Sequence, residues 1–236
     1  MDAALAHTLD TGYAALNAAL PGGGWPVGVL IELLQFTPGT SEWGLLAPAL
    51  ARSGAQGGGQ RPVVLVGAPN QPFGPALAAQ QLDPLRLLCV QAGTAAAQLW
   101  AAEQALRCAD VAAVLAWLPQ VQAPQLRRLH LAAQEHGKLL YVFRPAAVQT
   151  ESSPAPLRLR LARLPGPLPR LQLDIFKRRG PPLPQPLELE VGPARMRALL
   201  AASRAKALRR RQAALPLLSP GENSHALDRL AASLGT

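Results

Sequence analysis

Lysine, cysteine, histidine and aromatic residues are all scarce in this chain, and each shortage removes a class of function. The 236 residues include two cysteines, Cys89 and Cys108, too few for a disulfide-held secreted scaffold or a four-ligand zinc site. Both are expected as buried small apolar residues of a protein in a reducing cytoplasm. The four histidines are His7, His130, His136 and His225. His130 and His136 stand six apart on one expected helix, which is poor ligand spacing, so no metal site and no cofactor is assigned. Aromatics at 4% leave few rings for stacking bases, which argues against sequence-specific reading of a single strand. Residues 1–10 carry two acids and no base, so they lack a signal-peptide n-region. The uncharged stretches 11–31 and 62–82 are broken by Pro, Gly, Asn or Gln; a soluble protein is expected.

What is present points to a folded body with an appendage. Hydrophobic residues at 49% against 16% charged are enough to build a core, while 24 Pro and 20 Gly imply many interrupted elements. Charge is distributed unevenly. Residues 1–150 contain eight Lys/Arg and eight Asp/Glu, and residues 151–236 contain fifteen bases and six acids, so the whole net charge of +9 lies in the last 86 residues. A neutral body with a basic tail suits an acidic partner, with nucleic acid first among them.

Hydrophobic periodicity predicts strands over 28–36, 62–67, 86–91, 111–118 and 138–144, alternating with helices over 11–20, 42–53, 74–81, 94–108 and 123–137. Strand and helix in turn imply βαβ units and a parallel sheet covered on both faces. Beyond Pro145 the pattern becomes two-residue alternation over 157–164, 168–176 and 186–191, expected as antiparallel strands added at the sheet edge. Residues 21–26 are expected as a loop, and 194–215 as a helix after Gly192-Pro193. The domains expected are a core over 1–192 and a basic helical tail over 193–236.

Three blocks carry a resemblance to a known family: Leu9-Asp10-Thr11-Gly12 through Asn17, Gly22-Gly23-Gly24-Trp25-Pro26-Val27-Gly28, and Ile31-Glu32-Leu33. Together they resemble the start of a RecA-type ATPase core, and the likeness covers about the first 190 residues. A working enzyme of that kind needs a glycine-rich phosphate cradle, a Lys for the β and γ oxygens and a Ser or Thr for Mg²⁺. Here the stretch reads Gln35-Phe36-Thr37-Pro38-Gly39-Thr40-Ser41-Glu42-Trp43, with one glycine, and with Ser41 or Glu42 where the Lys belongs. The first Lys anywhere is Lys138, so no local realignment restores it. The fourth strand runs into Leu118-Pro119 without an acid, the turn Gly67-Ala68-Pro69-Asn70-Gln71 has no Glu, and the fifth strand ends in Phe143-Arg144-Pro145 without a water-positioning Gln. Residues 37–42, Thr37, Pro38, Gly39, Thr40, Ser41 and Glu42, are read as a vestigial nucleotide loop with no catalytic residue.

Within that group the chain is similar to the ImuA family, also described as SulA-like. The match lies in the Thr11-Gly12 start, the 21–26 segment, Ile31-Glu32-Leu33-Leu34, the lost phosphate loop and Arg144-Pro145. The resemblance implies a RecA-like fold without ATP hydrolysis and a cytoplasmic role in damage-induced (SOS) translesion synthesis. It also implies partners: RecA, an inactive Y-family polymerase homologue (ImuB) and an error-prone C-family polymerase. Residues 28–145 are also similar to the SulA division inhibitors that bind FtsZ.

Arg195, Arg197, Arg204, Lys206, Arg209, Arg210 and Arg211 place seven bases and no acid in seventeen residues. They are read as a DNA or acidic-partner surface, against the alternative of an ordinary solvated helix face. Lys177, Arg178 and Arg179 are candidates to extend it. Trp100 and Trp117 are expected in the core, whereas Trp25 and Trp43 are candidate exposed anchors for a partner. Leu227, Leu230 and Leu234 share a helical face that either packs on the body or docks to a partner.

Overall fold

The computed structural model describes residues 7–39, 42–53, 61–166, 169–181 and 183–213. The chain divides into two units, Met1–Ala194 and Arg195–Thr236. In the first, β1 (Thr8–Leu9) pairs with β2 (Trp25–Pro26) across the short helix α1 (Ala14–Ala19). Then come β3 (Leu30–Gln35), α2 (Glu42–Arg52), β4 (Val63–Val66), α3 (Gly74–Ala78), β5 (Leu87–Val90), α4 (Ala95–Arg107), β6 (Ala113–Trp117), α5 (Ala123–Glu135) and β7 (Leu139–Pro145). The strands β8 (Leu157–Leu164), β9 (Arg170–Lys177) and β10 (Leu187–Glu190) follow. Among the described residues the second unit is helix α6, which begins at the boundary itself (Ala194–Ala213).

The main sheet is mixed and mostly parallel, in the order β10-β9-β8-β3-β7-β6-β4-β5. One expectation is overturned. Strand β8 does not add antiparallel: it pairs parallel with β3, Ile31 opposite Leu157 and Gln35 opposite Leu161. The segment between β7 and β8 crosses over β3 before the chain turns, so antiparallel pairing is confined to β9, which runs against both β8 and β10. The 21–26 segment is likewise not wholly a loop, because Trp25 and Pro26 form β2.

Both sheet faces are covered, which is why β3, β4 and β6 are buried along their whole length. On one face Leu45, Leu46 and Leu50 of α2 meet Trp25, Tyr141 and Phe143; on the other Leu99 and Leu106 of α4 and Leu126 and Leu129 of α5 meet Val64, Val114 and Val142. Each such leucine contributes roughly 1.5–3 kcal/mol. Helix α4 starts where the Thr94 hydroxyl accepts the Ala97 N–H at 3.2 Å, and α5 starts in a Gln122–Gln125 capping box. Gly137, at φ +59°, ends α5 in the left-handed turn usual for a glycine there.

Local polar bonds explain the N-terminal block. Asp10 accepts from the Gly12 N–H at 2.7 Å and the Asn17 amide at 2.8 Å, while the Thr11 hydroxyl donates to Asn17 Oδ1 at 2.7 Å. The bonds from Asn17 and Gly12 hold the Asp10 carboxyl below its ordinary pKa. Gly12 itself, at φ +87°, sits so close to α2 that a Cβ would stand 2.5 Å from Pro48 Cβ. Arg86 is a second organising residue, 5% exposed. Its guanidinium donates to the carbonyls of Leu50 (3.1 Å) and Ser53 (2.5 Å) at the end of α2 and of Arg61 (2.9 Å) before β4. Burial holds its pKa below the ordinary value. Among the described residues no helix is long and apolar enough to cross a membrane.

Candidate functional site

In an open α/β sheet the ligand crevice lies beyond the carboxyl ends of parallel strands where neighbouring connections leave on opposite faces. Strands β3 and β7 meet that condition: β3 leads to α2 on one face, and β7 leads into the crossover to β8, whose Ala155 packs on the other. The loop after β3 is the stretch read as a vestigial phosphate cradle. Phe36 is 69% exposed, and Thr40 and Ser41 lie outside the described residues. Gly39 has φ +84°, and a Cβ there would stand 2.2 Å from Asn70 Nδ2, so the turn after β4 is packed onto the loop.

Glu42, the first residue of α2, is fully buried. Its Oε1 accepts the Gly39 N–H at 2.6 Å and the Trp117 indole N–H at 3.3 Å. The carboxylate therefore points inward, into the loop whose N–H groups would face a phosphate, and near the partial positive end of α2. Trp117 is fixed by stacking on Phe143 at 4.4 Å and 15°. The Gly39 N–H of this loop is thus already taken by a side chain of the same chain.

Beside the loop is a buried ion cluster that sequence reasoning did not single out. Glu32 of β3 is fully buried between Arg144 of β7, 2.8 Å from its Oε1, and Arg158 of β8, 2.6 Å from its Oε2. Arg144 also pairs with Glu151 at 2.7 Å. Arg158 donates to the carbonyls of Val148 (3.1 Å), Gln149 (3.1 Å) and Glu151 (3.0 Å), and its guanidinium lies 5.0 Å from the Phe176 ring centre. Arg160 adds bonds to Gln149 (3.0 Å) and Asp174 (2.8 Å). Three strand arginines, Arg144, Arg158 and Arg160, thus strap the β7–β8 crossover onto the sheet. The available signal was an acid inside the apolar run Leu30–Gln35 and arginines alternating with leucines over Leu157–Leu164.

The other predicted residues divide. Trp117 is buried as expected, and Trp43 is half-buried against the core. Trp25 is not an exposed anchor: it is fully buried, edge-on to Tyr141 at 5.5 Å, because β2 draws it under the sheet. Trp100 is not core but 63% exposed, since the buried face of α4 is Leu99, Ala102, Glu103 and Leu106. Cys89 and Cys108 are both exposed, one on the edge strand β5 and the other at the end of α4. Leu227, Leu230 and Leu234 lie outside the described residues.

The bases fall into two groups. Lys177 donates to the Ser153 carbonyl at 2.8 Å, Arg178 donates to those of Pro181 (2.8 Å) and Ala19, and Arg179 is exposed. Two of these three therefore hold the backbone, and all three belong to the first unit. In α6, Arg195, Lys206, Arg209 and Arg210 are exposed, and Arg197, Arg204 and Arg211 lie on the same helix. Lys138, the earliest lysine, is buried and donates to the carbonyls of Ala109 (2.8 Å) and Val111 (2.6 Å). Burial and the nearby Arg61 hold its pKa down.

Metal chemistry has no obvious seat: among the described residues no group of three His, Cys, Asp or Glu side chains could hold an ion. His130 is engaged structurally, its Nδ1 accepting the Leu30 N–H at 3.0 Å. No family model matches the chain, and no curated protein matches it.

Proposed function

We propose that this chain is a non-catalytic adaptor in damage-induced translesion DNA synthesis and repair, with a RecA-like body kept for contact and a basic helix for DNA or an acidic partner. The observation that carries the reading is Glu42, whose buried carboxylate accepts the Gly39 N–H of that loop and the Trp117 indole N–H. A loop whose Gly39 N–H is already engaged by an internal carboxylate is poorly suited to a triphosphate, and like charge opposes displacement. The sheet order and the parallel register of β8 on β3 are compatible with a RecA-like core. Helix α6 supplies seven bases without an acid, a composition suited to phosphate backbones. The partners the reading names are RecA, the inactive Y-family polymerase homologue and, with it, the error-prone C-family polymerase.

The full chain is to be tested with Mg-ATP and, separately, with purified RecA and the polymerase homologue. The expected results are no phosphate release above a blank, no shift in melting temperature with nucleotide, and a saturable complex with at least one of the two proteins. A clear nucleotide-dependent shift removes the non-catalytic part of the reading. Overexpression that yields filamentous cells without RecA induction replaces the adaptor with an FtsZ-binding division inhibitor.

A further inference from the structure

The two ends of the parallel strands differ in charge. At the carboxyl end, Glu42 turns into the loop after β3. At the amino ends of β4, β6 and β7 a cleft of about 150 Å³ is lined by His7, Arg52, Arg61, His136 and Lys138 and, among the described residues, by no acid. Four titratable groups act on these cations from outside the lining, and all four are exposed. Asp10 is 3.5 Å from Arg52 and Glu135 is 3.9 Å from His136, while Cys108 and Asp110 favour the charge of Lys138.

Capping of helix ends does not account for this cluster, because the carbonyls at the ends of α2 and α5 have other donors. Arg86 takes those of Leu50 and Ser53, and the backbone N–H groups of His136 and Lys138 take those of Ala132 and Ala133. The Lys138 side chain, 5% exposed, gives two of its three ammonium protons to the Ala109 and Val111 carbonyls and keeps one. Arg61 is held in place by its own carbonyl, which Arg86 grips at 2.9 Å, while its guanidinium has no hydrogen bond or ion pair among the described residues. Burial first, and the charge of Arg61 second, lower the Lys138 pKa. An anion between the two favours the charged form of both.

We propose that this cleft is an oxyanion site that takes one phosphate group, free or at the end of a small ester, between Arg61 and Lys138. The planar fork of Arg61 suits two phosphate oxygens, and the remaining Lys138 proton suits a third. A cleft of this volume lies below the roughly 300–1,000 Å³ usual for drug-sized ligands, so it fits a single tetrahedral anion rather than a whole nucleotide. It lies within the first unit, at the opposite end of the sheet from residues 36–42, and owes nothing to the adaptor reading.

Calorimetric titration of the full chain with sodium phosphate, against sodium chloride at matched ionic strength, tests it. Phosphate alone is expected to saturate the protein below about 10 mM. Arg61→Gln, at an exposed residue, is expected to raise the dissociation constant about tenfold with an unchanged circular dichroism spectrum. Arg127→Gln, at an exposed base of α5 outside the lining, is expected to leave it unchanged. A parallel titration with glycerol 3-phosphate separates the two sources: binding as tight as that of phosphate supports an esterified group as the ligand, and weaker binding supports the free anion. Failure of both compounds to saturate overturns the proposal, as does an equal response to chloride. A dissociation constant indifferent to Arg61→Gln, or raised equally by Arg127→Gln, also overturns it.

Discussion

Strands β3, β7 and β8 withdraw Glu32, Arg144 and Arg158 from water and let them satisfy one another, whereas α6 strings seven bases along one helix with no acid among them. Among the described residues of the first unit the buried cations all act on this chain: Arg144 and Arg158 hold a crossover, Arg86 gathers carbonyls, and Lys138 closes the turn before β6. In the second the charge has no counterpart within the helix, and only something outside it can neutralise it. The same residue type therefore reads as scaffold in one place and as interface in the other, and the neighbouring oxygens decide which.

The comparison breaks most readily at Glu32. Glu32→Ala is expected to cost about 3–5 kcal/mol, because two buried guanidinium groups lose their shared carboxylate; urea denaturation measures it. If the loss is below about 1 kcal/mol, the body's arginines are no more internal than those of α6. Glu42→Ala, which leaves the Gly39 and Trp117 N–H groups without their acceptor, is expected to cost about 1–3 kcal/mol. The melting temperature of this variant gives that cost, and Trp117 fluorescence is expected to change with it.

On the helix side, Arg209→Gln, Arg210→Gln and Arg211→Gln together are expected to leave stability within about 0.5 kcal/mol. The same triple variant is expected to flatten the slope of log affinity for DNA against log salt by about 2–3. A stability loss without a change in slope reverses the assignment. The smallest effect concerns His130. Burial lowers its pKa from the usual 6.5, so the unfolded chain takes up a proton first as pH falls. Stability is full above about pH 6.5 and declines below it towards the lowered folded value, and His130→Gln is expected to flatten that part of the pH profile.

Most elements were legible because their signals are local. Strand β3 and helices α4 and α5 lie within two residues of the spans the periodicity predicts, since apolar spacing and caps such as Thr94 act over a few positions. What was not legible depended on distant partners. Alternation over Leu157–Leu164 reports half-burial but not direction, and β8 runs parallel because its connection crosses β3. Trp25 has the Gly/Pro context of a loop, yet pairing with β1 draws its ring under the sheet. Cys89 sits in an apolar strand that, among the described residues, proves to be the last in the sheet, and its side chain is exposed. In the candidate site the loss of the lysine was readable, while the inward turn of Glu42 was not, because Trp117 donates to it from 75 residues away.

The clasp made by Arg86 has a practical corollary. One side chain grips Ser53 and Arg61 together, so the spacing of α2 and β4 does not rest on the covalent path between them. New termini, or a fluorescent reporter spliced between those two positions, should leave the sheet assembled, because the cost of a longer loop grows only logarithmically with its length. This gives the molecule a natural place to be reopened and rewired by protein engineering.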